Sequence, residues 1–141
     1  MKKIFAFLSL LLIVNYSSNS QCKGFVKKKC MPQMKPYITN GKGNSAVMRP
    51  GDKAELMITF NSDINYRLMI GNMDNIDVKF KVMDADKNVF FDSAKQNKNY
   101  FDFNVASTQQ LLIEIECADK ETLNGITPEG CVAIITGYKP K

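Results

Sequence analysis

The chain has 141 residues, with 19 basic and 14 acidic side chains, four cysteines and no histidine. Its length predicts a single domain. The absence of histidine removes the usual general base of nucleophilic triads and thiol proteases, and carboxylate pairs two residues apart are more typical of a solvent-exposed strand face. We therefore expect a protein that is not an enzyme and has no cofactor.

The first twenty residues have the pattern of a secretory signal peptide. Two lysines precede an apolar run, Ile4 to Val14, that is short for a membrane span, and small residues up to Ser20 predict cleavage before Gln21. We therefore expect export to the periplasm or the surface of a Gram-negative cell, with no transmembrane segment after cleavage. A lipid anchor on Cys22 is the alternative, although a lipidated cysteine normally follows a small residue and not glutamine.

A basic segment follows the predicted cleavage site. Residues Gln21 to Lys35 include five lysines and no acidic residue, and their apolar residues recur near helical spacing until prolines interrupt them. We expect short helical turns and then a flexible loop, so that residues 21–45 precede the main domain. The lysines are candidates for contact with anionic lipid headgroups or an acidic partner, or they simply form a solvated helix face. Nucleic acid is not expected, because export removes it as a partner. The candidate lysines are Lys27, Lys28 and Lys29.

From Ala46 onward, apolar and polar residues alternate, which is typical of strands with one face in water. The pattern is clearest from Ile76 to Val82, where the apolar residues are expected to face inward. Eight such segments with polar turns between them predict an all-β fold, a jelly-roll-like antiparallel β-sandwich over residues 46–141, after a short N-terminal helical segment. The predicted strands are Ala46–Met48, Ala54–Phe60, Ile64–Ile70, Ile76–Val82, Val89–Phe91, Phe101–Val105, Gln110–Cys117 and Cys131–Tyr138.

The last two predicted strands are expected to form a β-hairpin closed by a disulfide between Cys117 and Cys131. Ala133 and Ile135 would then face the core, which leaves an apolar outer face on the final strand. Because exposed apolar patches are uncommon in soluble monomers, we expect the N-terminal segment to cover that face. The rival hypothesis is that a partner binds it. The residues assigned to this face are Val132, Ile134 and Tyr138.

Four cysteines in an exported chain predict two disulfides, with three possible pairings. If Cys117 pairs with Cys131, then Cys22 pairs with Cys30. A continuous helix over residues 22–30 would hold those two Cα atoms about 12 Å apart, beyond the reach of a disulfide. Either the helix begins after Cys22 or the pairing is different. Zinc is not expected, because no C-x-x-C spacing and no histidine occur.

Two further motifs are candidates for weaker sites. A turn with acidic and amide side chains resembles part of a calcium loop, but it lacks the glycine and glutamate that an EF-hand requires, and a polar hairpin turn explains the same residues. The calcium candidates are Asp84, Asp86 and Asn88. Asp92-Ser93-Ala94 fits the short acceptor motif for bacterial O-glycosylation, with Ser93 in an expected exposed loop.

Several stretches resemble an uncharacterised family of small exported bacterial proteins. The strand plan is also similar to prepeptidase-carboxy-terminal and GOLD-type sandwiches, which are accessory binding modules. These likenesses cover most of the exported chain and imply the fold and the export. We expect an interaction module, or a small subunit of an envelope complex, with a protein partner; the alternative is a module that binds a carbohydrate or a lipid headgroup. The stretches are Tyr66-Arg67-Leu68, Val82-Met83-Asp84, Phe91-Asp92, Phe101-Asp102-Phe103, Gln110-Leu111-Leu112-Ile113-Glu114 and Gly130-Cys131-Val132.

Overall fold

The computed structural model describes residues 17–73, 75–122 and 124–140, so most of the predicted signal peptide lies outside the described residues. Helix α1 is Ser17–Phe25, followed by a π-helical turn, Val26–Cys30, and a 3₁₀ turn, Met31–Met34. The strands are β1 Ile38–Thr39, β2 Asn44–Met48, β3 Lys53–Phe60, β4 Ile64–Asn72, β5 Val78–Met83, β6 Val89–Asp92, β7 Tyr100–Asn104, β8 Gln109–Cys117 and β9 Gly130–Pro140, and the short helix α2 is Ser93–Gln96. No helix in these ranges is both long and apolar enough to cross a membrane.

The strands form two antiparallel sheets, which confirms the predicted all-β sandwich. Sheet A has the order β1-β9-β4-β7, and β2 also pairs with β9; sheet B has the order β3-β8-β5-β6. Most connections cross from one sheet to the other, and β5–β6 is a connection that stays within sheet B. Strands that are consecutive in the sequence therefore mostly face each other across the core and do not hydrogen-bond to each other within a sheet.

One hydrophobic core lies between the two sheets. Its most buried members include Leu68 on β4, Val82 on β5 and Ile113 on β8. The alternation predicted from Ile76 to Val82 is confirmed, because the apolar residues of that stretch all belong to this core. Full burial of such a side chain contributes about 1.5–3 kcal/mol relative to its exposure, so these alternating residues are the main source of the sandwich's stability.

The predicted terminal hairpin is wrong. Strand β8 pairs with β3 and β5 in sheet B, whereas β9 pairs with β1, β2 and β4 in sheet A. The connection over residues 118–129 is long enough to cross between the sheets, so sequence adjacency did not make these two strands partners.

The faces of β9 are also the reverse of the prediction. Val132 is buried in the core between the sheets, and Ile134 packs against that core. Ala133 and Ile135 instead lie on the outer face of sheet A. Strand β9 is apolar on both faces, so its alternation alone does not show which face is inward; the assumed bond to Cys117 fixed the wrong choice.

The N-terminal segment covers the outer face of sheet A, as the sequence predicted for the apolar outer face of the last strand. A second cluster joins residues of the segment to residues of β4 and β9: Val26, Cys30, Met34, Met69, Ala133 and Ile135. A Cβ atom on Gly71 would overlap the sulfur of Cys30, so glycine at this position of β4 allows the close approach. The segment is tied into the sheet as well, because β1 pairs with β9, with Ile38 opposite Tyr138.

The disulfide joins Cys22 to Cys131, with 5.4 Å between their Cα atoms. Both predicted pairings are therefore wrong, and Cys30 and Cys117 are buried free cysteines. The helical path is continuous from Cys22 to Cys30, which is the condition that excludes a bond between them. Cys117 lies in the core between the sheets, whereas Cys131 is on the strand that passes beneath α1.

Candidate functional site

An apolar cleft opens at one side of the sandwich, where the edge strands β6 and β7 of the two sheets face each other. Three phenylalanines, Phe90, Phe101 and Phe103, line this cavity of about 290 Å³, which we call the phenylalanine cleft. The side chain of Phe90 is large, apolar and exposed to solvent. The remaining residues that line the cleft are Asn104, Val105, Ala106, Gln109 and Leu111.

A continuous row of aromatic rings connects this cleft to the core. The ring of Phe101 is stacked on those of Phe91 and Phe103, with 4.8 Å between centroids in each pair. Phe103 then meets Phe60 edge-on at 4.9 Å. Such contacts stabilise by about 0.5–1.5 kcal/mol beyond area burial, so the walls of the cleft are held in place by the core.

The backbone of β7 adds hydrogen-bonding groups beside the cleft. The N–H of Ile70 donates to the carbonyl of Asn99 at 2.9 Å, so the backbone of Asn99 faces β4. Because this direction alternates along an antiparallel strand, the backbone groups of Tyr100, Asp102 and Asn104 point away from β4. Among the described strands none pairs with that side of β7. The edge therefore offers alternating donors and acceptors next to an apolar cavity.

An ion pair on the outer face fixes the same edge strand. Arg67 on β4 donates from Nε and Nη2 to the two carboxylate oxygens of Asp102 on β7, at 2.6 and 2.7 Å. The guanidinium also lies 4.6 Å from the ring centroid of Tyr37 and 4.5 Å from that of Tyr100. The hydrogen bond to Asp102 raises the pKa of Arg67, and desolvation followed by the Asp102 charge raises the pKa of Tyr37. Four side chains thus hold β7 against β4.

The structure does not bring the predicted interaction residues together. Val132 and Ile134 belong to the core, while Tyr138 is exposed near the end of β9. The three candidate lysines are exposed on the π-helical turn, as the solvated-face interpretation requires; they are Lys27, Lys28 and Lys29. Sequence reasoning did not select the phenylalanine cleft, because alternation placed Phe101 and Phe103 inward correctly but did not show that β7 is an edge.

The candidate calcium residues form a capped turn. The carboxylate of Asp84 accepts hydrogen bonds from the backbone N–H groups of Asp86 and Asn88 at 2.9 and 2.8 Å, and from the Asn88 side chain at 2.8 Å. The hydrogen bonds from Asn88 hold the pKa of Asp84 below its usual value. In the described ranges no group of three cysteine or acidic side chains is placed to hold a metal ion.

Ser93 lies in helix α2, so the exposed loop predicted around it is wrong, while O-glycosylation of its hydroxyl stays a prediction. The preceding Asp92 caps the helix by accepting a hydrogen bond from the N–H of Ala94 at 3.0 Å. The hydroxyl oxygen of Ser93 accepts from the backbone N–H of Phe80 at 2.8 Å, which joins the helix to β5. Ser93 is half-buried as a result.

The fold is similar to a solved structure whose protein has a described role. PliG from Aeromonas hydrophila is a periplasmic lysozyme inhibitor of g-type lysozyme; the two structures match with a TM-score of 0.51 and 8% sequence identity, over 74% of this chain and 90% of PliG. At that identity the likeness shows a shared sandwich fold. No protein-family model and no curated protein matches the sequence, so the family resemblance noted above stays a prediction.

Proposed function

We propose that the protein is an exported, non-catalytic module that binds another protein of the cell envelope, either alone or as a small subunit of a complex. The phenylalanine cleft is the observation that carries this proposal. Clustered aromatic anchors next to an unpaired strand are the features on which protein partners commonly dock. The stacked rings are already fixed by the core, so little conformational entropy is lost when a partner covers them.

The geometry of β7 favours an extended partner segment. Such a segment would hydrogen-bond to the backbone groups of Tyr100, Asp102 and Asn104 as an added strand. Its alternate side chains would then point toward the cleft, whose volume of about 290 Å³ suits an apolar or aromatic side chain. The backbone would provide affinity, and the three phenylalanines would provide selectivity for an apolar residue.

The likeness to PliG supports a binding role in the envelope, because that protein inhibits an enzyme and is periplasmic. The disulfide between Cys22 and Cys131 also supports export, since such bonds persist in oxidising compartments. We propose a g-type lysozyme as the first partner to test.

The test measures clearing of a cell-wall suspension by g-type lysozyme, with and without the protein purified after export, together with co-elution of the two proteins. We expect slower clearing and a complex. Phe90→Ser should weaken binding at least about tenfold, which corresponds to about 1.4 kcal/mol. Met57→Ser is the matched control, because Met57 on β3 is 50% exposed and Phe90 is 47% exposed.

Absence of both inhibition and a complex would exclude g-type lysozyme as the partner. A capture experiment from envelope extracts, with the Phe90→Ser variant as bait beside the wild type, then tests the general proposal. A protein that docks in the phenylalanine cleft should bind the wild type and Met57→Ser but not Phe90→Ser. If no captured protein behaves in this way, the phenylalanine cleft is not a protein-binding site.

A further inference from the structure

A polar groove lies where the N-terminal segment meets the end of β4. It consists of two clefts of about 420 and 470 Å³ that meet at Asn72 and Asn99. Each volume is within the usual range for small-ligand sites. We call this region the amide groove, defined by the side-chain amides of Gln33, Asn72 and Asn99.

All three amides are oriented by the backbone in the same way. The nitrogen of Gln33 donates to the carbonyl of Lys29 at 2.8 Å, that of Asn72 donates to the carbonyl of Met73 at 3.2 Å, and that of Asn99 donates to the carbonyl of Ile70 at 3.4 Å. Each amide oxygen remains as an acceptor. Within the described part of the chain, no group donates a hydrogen bond to any of these three oxygens.

The groove is built on fixed elements. Asn72 pairs with Val132 of β9, and the backbone carbonyl of Asn99 accepts the bond from Ile70. The opposite wall includes Phe25 and Cys30 of the N-terminal segment, and the sulfur of Cys30 sits against Gly71. The acceptors are therefore positioned before any ligand arrives, which lowers the entropic cost of binding.

The charges along the groove favour an anion. Lys29 lines the first cleft, and Lys79 and Lys98 line the second, where Asp77 is the acidic residue among the lining side chains. None of the three lysines forms a salt bridge with another described residue. The Lys98 ammonium lies 5.8 Å from the ring centroid of Tyr100, a contact that leaves its hydrogen-bond donors free. The three charges are therefore available to a carboxylate or phosphate group.

We propose that the amide groove binds an anionic, hydroxyl-rich glycan. The amide oxygens of Gln33, Asn72 and Asn99 would accept hydrogen bonds from sugar hydroxyls, and the lysines would contact the acidic groups. Phe25 offers an apolar surface to the C–H face of a sugar ring. A sugar ring carries several hydroxyl donors, whereas a peptide offers one backbone N–H per residue, so a glycan fits a set of three acceptor oxygens better than a peptide does. This surface is separate from the phenylalanine cleft, so the two proposals stand or fall independently.

The test is an NMR titration that follows the side-chain amide signals of Asn72 and Asn99. The probes are tetragalacturonate, an uncharged tetrasaccharide, oligoglutamate and inorganic phosphate. We expect tetragalacturonate to shift both signals and to bind at least about tenfold more tightly than the uncharged sugar. The double variant Lys29→Glu with Lys98→Glu should weaken that binding at least about tenfold. Lys87→Glu with Lys139→Glu changes the net charge equally. Lys87 lies in the turn at the other end of β5, and Lys139 lies opposite Asn65 at the other end of β4, so these changes should alter affinity less than about twofold.

Several results would overturn the proposal. One is that neither oligosaccharide shifts the two amide signals. Equal weakening in the two double variants would show that binding follows net charge and not the groove. Shifts of the same size with inorganic phosphate would indicate a simple anion site, and shifts with oligoglutamate alone would indicate a peptide site.

Discussion

Arg67 and Asp102 face each other on adjacent strands and form a two-pronged ion pair, with 2.6 Å between Nε and Oδ1. The arginine side chain is mostly buried between two tyrosine rings, so water screens this pair less than an exposed one. The pair holds the outer side of the strand whose inner side carries Phe101 and Phe103. It is therefore a structural support for the proposed binding edge.

Replacement of Arg67 should destabilise the protein and loosen β7. We expect Arg67→Ala to lower the free energy of unfolding by about 1.5–3 kcal/mol, the range for hydrogen bonds to charged groups, and Arg67→Lys to recover only part of it because lysine lacks the planar fork. Urea unfolding measures the loss. Lys53→Ala is the control, because the pair of Lys53 with Glu116 is exposed and should contribute less than about 1 kcal/mol. Equal losses in the two variants would contradict a special role for Arg67.

Loss of the bond between Cys22 and Cys131 should be more costly. The two cysteines are 109 residues apart, and the chain-entropy model gives about 4.7 kcal/mol for a loop of roughly that size. We expect the double variant Cys22→Ser with Cys131→Ser to lose several kcal/mol in urea unfolding. Adding a reductant should lower the stability of the wild type to a similar value and should leave the variant unchanged. A large further loss in the reduced variant would point to a different disulfide.

The thiols of Cys30 and Cys117 should be unreactive in the native protein. Burial raises the pKa of both thiols, and the carboxylates of Asp52 and Asp77 raise that of Cys117 further. A thiol reagent should therefore leave the native protein unmodified. After unfolding in the absence of a reductant, which keeps the disulfide intact, it should modify two cysteines per chain. The pairings predicted from the sequence would instead yield no free thiol even in the unfolded chain.

The raised pKa values of Cys30 and Cys117 predict a loss of stability at alkaline pH. A thiol whose pKa is higher in the folded state stays protonated there, while the unfolded chain ionises first. The contribution of each thiol to the free energy of unfolding is fully present below the pKa of the unfolded chain, near 9.0. It declines as pH rises from there toward the higher pKa of the folded state. Urea unfolding between about pH 8 and 10 should show this decline, and it should be smaller in a variant with Cys30→Ala.

Substitution of Gly71 should displace the N-terminal cover. A Cβ atom at this position overlaps the sulfur of Cys30, so we expect Gly71→Ala to destabilise by about 1–3 kcal/mol and to speed hydrogen exchange over residues 25–34. Gly24→Ala is the matched control, because a Cβ atom there has no neighbour within 4 Å and alanine favours the helix. Rapid exchange of residues 25–34 in the wild type itself would contradict the covering role.

The sequence predicted those parts of the fold that depend on local pattern. Phe80 and Val82 alternate with lysines, so one face of β5 is plainly polar and the inward face follows. Val132 and Ala133 are both apolar and adjacent, so the faces of β9 depend on what packs against them from elsewhere in the chain. The phenylalanine cleft and the amide groove were not predictable for a related reason: each requires knowing which distant strands are neighbours and which strand is left at an edge.

Strand β9 occupies an interior place in sheet A, between β4 on one side and β1 with β2 on the other. Sheet A therefore has no continuous ladder until the final strand of the described chain has been synthesised, and α1 has no partner for its disulfide before then. Sheet B and the pairing of β4 with β7 do not involve β9, so it is the joining of sheet A and the attachment of its N-terminal cover that depend on the last strand.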